Sequence, residues 1–303
     1  MRACRSRAGS WATTVGLGLL FPLAWLLAYL PAPLGLAVGR RIGDALWWLL
    51  PRRRRVALDN LRRGLGQELS AEARRRLARR SFQHVGMNLV EDCRYFLRPT
   101  DVMLSRVRME GEERLRAAAD RGRGVLILTA HYGNWELLAA AHGLSGLPLS
   151  IVMRPLDHPL LDDLAARFRR RSGAELIIKE RAVREILQAL RRRRMVGILL
   201  DQNATRSEGV FVPFFGTPAS TSKGLAVLAL RTGAPVVPVF LRRELDGGHC
   251  LEVGAEVAAP SDGNVAAFTA SFNREIEAAI RRAPEQWLWM HARWRTQPHE
   301  AVP

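Results

Sequence analysis

The alternation of apolar and polar positions divides the chain into three stretches. From Ala8 to Gly39 Tyr29 is the sole ionisable side chain, and Trp11–Leu30 within it gives 20 mostly apolar residues. That is the length of a helix that crosses a bilayer. Trp11, Trp25 and Tyr29 suit interfacial anchoring. Pro22 predicts a kink, and Pro31 and Pro33 predict the end of the helix. Arg2, Arg5 and Arg7 form a basic start that also fits a cleaved signal peptide, although no small-x-small cleavage site follows. A helix lying in the membrane is a further alternative.

Residues 56–97 carry helical periodicity. Leu58, Leu61 and Leu65 share a face, and after a break at Gly64–Ser70 an apolar stripe runs through Leu77, Phe82, Val85, Leu89 and Cys93. This predicts a helical layer over a core. Beyond residue 124 short apolar runs alternate with amphipathic segments. Val125–Thr129, Ser150–Met153, Ala174–Ile178, Met195–Leu200 and Val236–Leu241 predict strands, with helices near 134–144, 158–172, 180–193 and 221–232. His249–Val253 adds a candidate edge strand, and 262–282 a last long helix before Trp287, Trp289 and Trp294. Such alternation predicts an α/β fold with a mostly parallel central sheet flanked by helices.

Composition sharpens this picture. With 48 % hydrophobic and 25 % charged residues among 303, the chain has enough apolar side chains for a substantial core. The net charge is +17 and nearly all of it is arginine, since Lys179 and Lys223 are the only lysines. Between Arg40 and Arg80, 13 arginines stand against Asp44, Asp59, Glu68 and Glu72. A basic stretch directly after an apolar segment predicts contact with anionic membrane lipids. Arg52–Arg55 outweigh the N-terminal arginines and predict a cytoplasmic main domain. The division expected is 1–50 as membrane anchor and basic juxtamembrane region and 51–303 as the main domain. Cys4, Cys93 and Cys250 are too few and too scattered for a disulfide framework or a cysteine-rich zinc site, and no metal or cofactor is expected. The charge also allows nucleic-acid binding, but no recognition helix, zinc-finger spacing or aromatic RNA-binding motif is present, so no nucleic-acid partner is expected.

The segment 124–136, Gly-Val-Leu-Ile-Leu-Thr-Ala-His-Tyr-Gly-Asn-Trp-Glu, carries the chemistry. A buried strand ends near Thr129, so His131 falls in the loop at its C-terminal end, where open α/β sheets hold ligands. Gly133 permits a tight turn, and Asn134 as N-cap puts Trp135 and Glu136 in a first helical turn. His131 and Glu136 then meet, the acid orienting the imidazole for general-base work on a hydroxyl. No serine or cysteine sits where a nucleophile elbow needs one, so direct transfer is preferred to a covalent intermediate. The plainer reading is a strand-end histidine beside a helix-start acid. Arg154 follows another strand and precedes Pro155, which places a guanidinium at the same edge for phosphate or oxyanion. Asp201 and Gln202 end a third strand and, with Asn134, are candidates to bind substrate.

His-Tyr-Gly-Asn-Trp-Glu at 131–136 resembles the H-x4-D/E motif of the late acyltransferases of lipid A biosynthesis, the lauroyl and myristoyl transferases acting on Kdo-lipid IVA. Four further segments are similar to that family in the same order: Met-Arg-Pro-Leu-Asp-His-Pro at 153–159, Leu-Asp-Gln at 200–202, Gly-Val-Phe-Val-Pro-Phe-Phe-Gly at 209–216 with Thr221, and Ala-Pro-Glu-Gln-Trp-Leu-Trp-Met-His-Ala-Arg-Trp-Arg at 283–295. The resemblance spans nearly the whole chain, whereas H-x4-D/E alone recurs across glycerolipid acyltransferases. It implies a glycerolipid acyltransferase-like fold with an N-terminal hydrophobic membrane helix. The activity implied is O-acyl transfer in lipid A biosynthesis, with His131 as general base, Glu136 as its carboxylate partner and Arg154 facing the substrate. It further implies an inner-membrane protein with a cytoplasmic catalytic domain, an acyl-acyl carrier protein or acyl-CoA donor and a glycolipid acceptor. Val212–Phe215 would help to wall an acyl channel, and His291 and Arg293 would approach lipid phosphates. The chain departs from the pattern at Asp157-His158-Pro159, where relatives often carry asparagine before the proline. A noncatalytic lipid-binding or scaffold protein of this fold is the competing reading.

Overall fold

The computed structural model describes residues 21–153, 163, 166–167, 169–178 and 182–298. A helical segment over 21–29 leads into α1 (Ala32–Leu49), α2 (Pro51–Leu65) and α3 (Ala71–Leu97). Pro31 interrupts the helix as the sequence predicts. Pro33 does not end it a second time: it sits in the first turn of α1, where a backbone N–H has no helical acceptor to lose. Ser70 caps α3 after the predicted break, its Oγ accepting the Ala73 N–H at 3.2 Å.

Glycines let α1 and α3 touch. A Cβ on Gly43 would meet the Phe82 carbonyl oxygen at 2.3 Å, and one on Gly86 the Gly39 oxygen at 2.1 Å. This N-terminal layer also exposes apolar side chains. Phe21, Trp25, Tyr29 and Leu34 are about half exposed, and Trp48 and Leu49 are 65 % and 73 % exposed. Among the described residues no helix is long and apolar enough to cross a membrane. Residues 11–20, the first half of the expected span, lie outside them.

The main sheet contains β1 (Val107–Glu110), β2 (Val125–Thr129), β3 (Leu149–Met153), β4 (Glu175–Ile178), β5 (Met195–Leu199), β8 (Val236–Arg243) and β9 (His249–Val253), in the order β1-β9-β8-β2-β5-β3-β4. All neighbours are parallel except β8 and β9. The strand at 249–253 is therefore interior, not an edge, because β1 covers it. The four residues of β1 alternate half-buried and exposed, too short a signal to read from sequence. A separate hairpin, β6 (Gly209–Phe214) and β7 (Thr217–Ser222), was likewise not expected. Helices α4 (Glu112–Asp120), α5 (Leu138–His142), α6 (Ala182–Arg191), α7 (Gly224–Thr232) and α8 (Val265–Arg282) complete the described elements used below. Of the expected helix at 158–172, residues 163, 166–167 and 169–170 are helical and the others lie outside the described residues or beyond its end.

Both sheet faces are covered. On β2, Leu126 and Leu128 join a core with α2, α3, α7 and α8, while Val125 and Ile127 join one with α4 and α5. Burial on both faces is why β2 is a continuous apolar run. The buried face of α3 differs from the expected stripe. Leu77 and Phe82 are inside, but Leu89 is 47 % exposed, and the inward positions are Ser81, His84, Asn88, Glu91 and Tyr95. Of these, His84 and Asn88 hydrogen-bond the Gly133 carbonyl in the loop after β2 and Glu91 the Asn134 side chain, which requires polar groups and not apolar packing.

Candidate active site

The pairing of β2 with β5 sets Thr129 opposite Leu199. Two residues further on, the same register brings His131 beside Asp201, past the C-terminal ends of neighbouring strands. The Leu200 N–H donates to the Thr129 carbonyl at 3.0 Å and carries the ladder to that point. His131 Nδ1–H donates to Asp201 Oδ1 at 2.8 Å, and the His131 backbone N–H to Oδ2 at 3.0 Å. Trp287 Nε1–H donates to the same Oδ2 at 2.8 Å. Burial works against a charge on Asp201, but the His131 ring and these N–H donors hold its carboxyl down at about 2.

With Nδ1 donating, Nε2 is the free acceptor of the imidazole, and the Gln202 amide nitrogen stands 3.1 Å from it. Burial opposes protonation of His131. The Asp201 charge and hydrogen bond, together with the Glu136 charge, outweigh it and raise the ring above its ordinary 6.5. Trp135 packs edge-on against the imidazole, with ring centres 5.4 Å apart.

Glu136 was expected to take an imidazole nitrogen, yet its carboxylate hydrogen-bonds Arg169. Arg169 Nη2 donates to Oε1 at 2.7 Å and Nε to Oε2 at 3.1 Å. Glu136 lies in a turn over 135–137, because α5 begins at Leu138 and not at Trp135. Asn134 caps that turn: its Oδ1 accepts the Leu137 N–H at 3.0 Å. The Asn134 side chain is 1 % exposed, and its Nδ2 donates to Glu91 Oε2 at 2.9 Å. Both ends of the amide are thus engaged within the protein.

The loop is strapped on two sides. Gly133 has φ +61°, and a Cβ there would lie 1.7 Å from the Leu241 carbonyl oxygen. Only glycine combines that conformation with that approach. Gly133 N–H donates to the Gln286 carbonyl at 3.0 Å, Asn134 N–H to the Leu241 carbonyl at 3.1 Å, and Leu288 N–H to the His131 carbonyl at 3.1 Å. The Gly133 carbonyl accepts from His84 Nε2 at 3.0 Å and Asn88 Nδ2 at 2.8 Å.

The described residues bring together His131, Asp201, Gln202 and, through its charge, Glu136. Arg154, with Asp157 and His158, lies outside the described residues. The C-terminal tryptophans belong to the core: Trp287, Trp289 and Trp294 are at most 4 % exposed and pack with Phe214 and Phe215. Nor does Arg293 reach outward. It is fully buried, its Nη1 donating to the Ser220 carbonyl at 2.7 Å. Burial lowers His291 to about 4, so it is neutral and cannot attract phosphate by charge. Two contributors escaped the sequence reading. One is the Trp287 indole N–H, which serves Asp201, and the other is Arg169, which lies among many arginines with nothing in the sequence to distinguish it.

The model of the bacterial lipid A biosynthesis acyltransferase family matches residues 6–296. The chain is 34 % identical over 291 residues to the lipid A biosynthesis palmitoleoyltransferase of Escherichia coli K12, covering 95 % of this chain and 92 % of that protein. It is 30 % identical over 295 residues to the lipid A biosynthesis lauroyltransferase of the same organism, covering 97 % and 94 %. A phosphatidylinositol mannoside acyltransferase of Mycolicibacterium smegmatis is 30 % identical over 186 residues, 60 % of each chain. Full-length similarity of this kind, joined to a histidine and carboxylate at the ligand edge of a parallel sheet, makes this chain a member of the bacterial lipid A biosynthesis acyltransferase family.

Proposed function

We propose that the protein transfers a fatty acyl group from a thioester donor to a hydroxyl of a lipid A precursor or related glycolipid, with His131 as general base. The observation that carries this reading is the hydrogen-bonded line from Asp201 through His131 Nδ1 to an Nε2 that faces the Gln202 amide. In the reaction the acceptor hydroxyl displaces the Gln202 amide and gives its proton to Nε2 as its oxygen attacks the thioester carbonyl. Asp201 stays ionised and stabilises the imidazolium. The tetrahedral intermediate collapses, the C–S bond breaks, and the thiolate leaves with the proton carried by His131. The ester and the free thiol account for all atoms. Glu136 supports the imidazolium by charge and, through Arg169, fixes the wall beside it. Arg154 is the proposed contact for substrate phosphate or thioester oxygen.

The donor class rests on the family resemblance more than on charge. An acyl carrier protein is the donor proposed, and its acidic surface is complementary to a chain at +17. The half-exposed apolar residues of 21–34 with Trp48 and Leu49, followed by Arg52–Arg55, support association of the N-terminal region with an anionic inner-membrane surface and a catalytic domain on the cytoplasmic side. Residues 1–50 are accordingly the proposed anchor and 51–303 the catalytic domain.

The test is genetic and chemical together. Deleting the gene in its host and weighing lipid A and other glycolipids by mass spectrometry should reveal loss of one acyl group. The wild-type gene should restore it and His131→Ala should not. An unchanged glycolipid profile on deletion would contradict the assignment.

A further inference from the structure

Behind the reacting loop lies a buried ionic network that the chemistry at His131 does not use. His84, Asn88 and Glu91 occupy one face of α3 at helical spacing. Arg243, the last residue of β8, meets them, and none of the four is more than 6 % exposed. Arg243 Nε donates to Glu91 Oε1 at 2.9 Å, and Nη2 donates to Glu91 Oε2 and to Asn88 Oδ1. Its Nη1 donates to His84 Nδ1 at 2.6 Å. The Arg243 backbone is pinned to Gln286 by its N–H, at 2.9 Å, and its carbonyl, at 2.8 Å.

The network ends on the loop. With a guanidinium on Nδ1, His84 carries its proton on Nε2 and donates it to the Gly133 carbonyl. Asn88 supplies a second donor to the same oxygen, and Glu91 Oε2 accepts from the Asn134 amide. Gly133 and Asn134 are the middle of the segment that joins His131 to Glu136.

Burying an ion pair and a histidine requires desolvation that an apolar cluster would avoid. The benefit is directional. Apolar contacts leave a peptide plane free to tilt, whereas two hydrogen bonds on one carbonyl fix it. We propose that Arg243, Glu91, His84 and Asn88 are positioning residues for acyl transfer, fixing the Gly133 peptide plane and the Asn134 rotamer and thereby the relative placement of His131 and Glu136. This inference rests on the reading of His131 as the base.

Asn88→Leu keeps the branched outline of the side chain, removes one donor to Gly133 and one acceptor of Arg243 Nη2, and leaves both Arg243–Glu91 hydrogen bonds in place. It should lower kcat by about 10- to 100-fold, the scale of a displacement near 1 Å at a reacting group, with KM little changed. The acid limb of kcat/KM should move to lower pH, because a loosened His131 gains less from Asp201. His84→Gln, which retains an N–H donor, should recover turnover relative to His84→Leu. Thermal melting identifies the folded proteins. A folded Asn88→Leu with wild-type kcat and an unmoved acid limb overturns the proposal. If Asn88→Leu does not fold, equal turnover in folded His84→Gln and His84→Leu overturns it. His131→Ala in the same assay separates the two claims: full activity there sinks the base itself, whereas loss there beside normal Asn88→Leu sinks only the positioning role.

Discussion

His131 and Asp201 are 70 residues apart in sequence and hydrogen-bonded in the fold, Nδ1 to Oδ1 at 2.8 Å, because β2 and β5 are parallel neighbours in register. The sheet, not a local motif, makes this pair. Each carboxylate oxygen of Asp201 has a donor, so the imidazole is held in one tautomer with Nε2 outward. The same arrangement fixes what should happen when either group is changed.

Asp201→Asn keeps the size of the side chain but removes the charge that favours the imidazolium and the tautomer. Turnover should fall by about 10²-fold or more, toward the loss of ~10⁴ known for an analogous Asp→Asn change beside a catalytic histidine. The pH profile gives the sign. Asp201 raises the His131 pKa above 6.5, so the acid limb of kcat/KM should move to lower pH in the variant. An unmoved limb with normal turnover would remove Asp201 from the mechanism.

Glu136 and Arg169 form a second, partly exposed pair beside the first. Glu136→Gln should lower turnover by about an order of magnitude or more, since the amide loses the charge that favours the imidazolium. The loss should be smaller than in Asp201→Asn, because Glu136 is not the hydrogen-bonded partner of the ring. Glu136→Asp should retain more activity than Glu136→Gln. Steady-state rates for the three variants decide the ranking, and a more severe loss in Glu136→Gln than in Asp201→Asn would reverse the roles assigned here.

Much of this was legible from residues alone. The continuous apolar run of β2 and its end at Thr129 put His131 at the ligand edge of a parallel sheet, and Asp201 was placed at the same edge by the same argument. What the sequence did not decide was which acid holds the imidazole. Glu136 is near in sequence, but a turn over 135–137 delays the helix and turns its carboxylate to Arg169. Asp201 is distant in sequence, and only the β2–β5 register brings it in. On α3 the polar positions 81, 84, 88 and 91 repeat at helical spacing, a signal hidden by the apolar Phe82, Val85 and Leu89 beside them. Trp287 was hidden differently, since its ring packs while its N–H serves Asp201.

Buried histidines predict an acid-sensitive fold. Burial lowers His142 to about 4 and His291 to about 4, and holds His84 well below 6.5. Between those values and 6.5 the unfolded chain binds more protons than the folded one. Their contribution is therefore complete above pH 6.5 and is lost as pH falls toward the folded values. For His142 the full effect is on the order of 3 kcal/mol. His131, raised by Asp201, acts in the opposite sense and weakens as pH rises. Melting temperatures from pH 7 to pH 5 should fall, and His142→Leu should flatten the profile. A variant as acid-sensitive as wild type would show that His142 is not responsible.

Donor docking should be electrostatic. At sub-saturating acyl-acyl carrier protein the rate should fall steeply as ionic strength rises toward 1 M, where screening acts within about 3 Å. Reversing two of the exposed residues Arg52, Arg53 and Arg55 tests whether that surface serves the donor or the membrane. If it serves the membrane, vesicle binding weakens and the detergent-solubilised rate holds. A salt-independent rate would argue against a carrier-protein donor.

The most direct test is turnover of a folded His131→Ala protein. Acyl transfer from a thioester donor to a lipid A precursor should be followed alongside thermal melting, in wild type and variant. The account predicts an unchanged or slightly shifted melting temperature and a rate lower by about two orders of magnitude or more, the scale of a positioned general base. A folded His131→Ala protein that transfers acyl groups at a near-normal rate would contradict it.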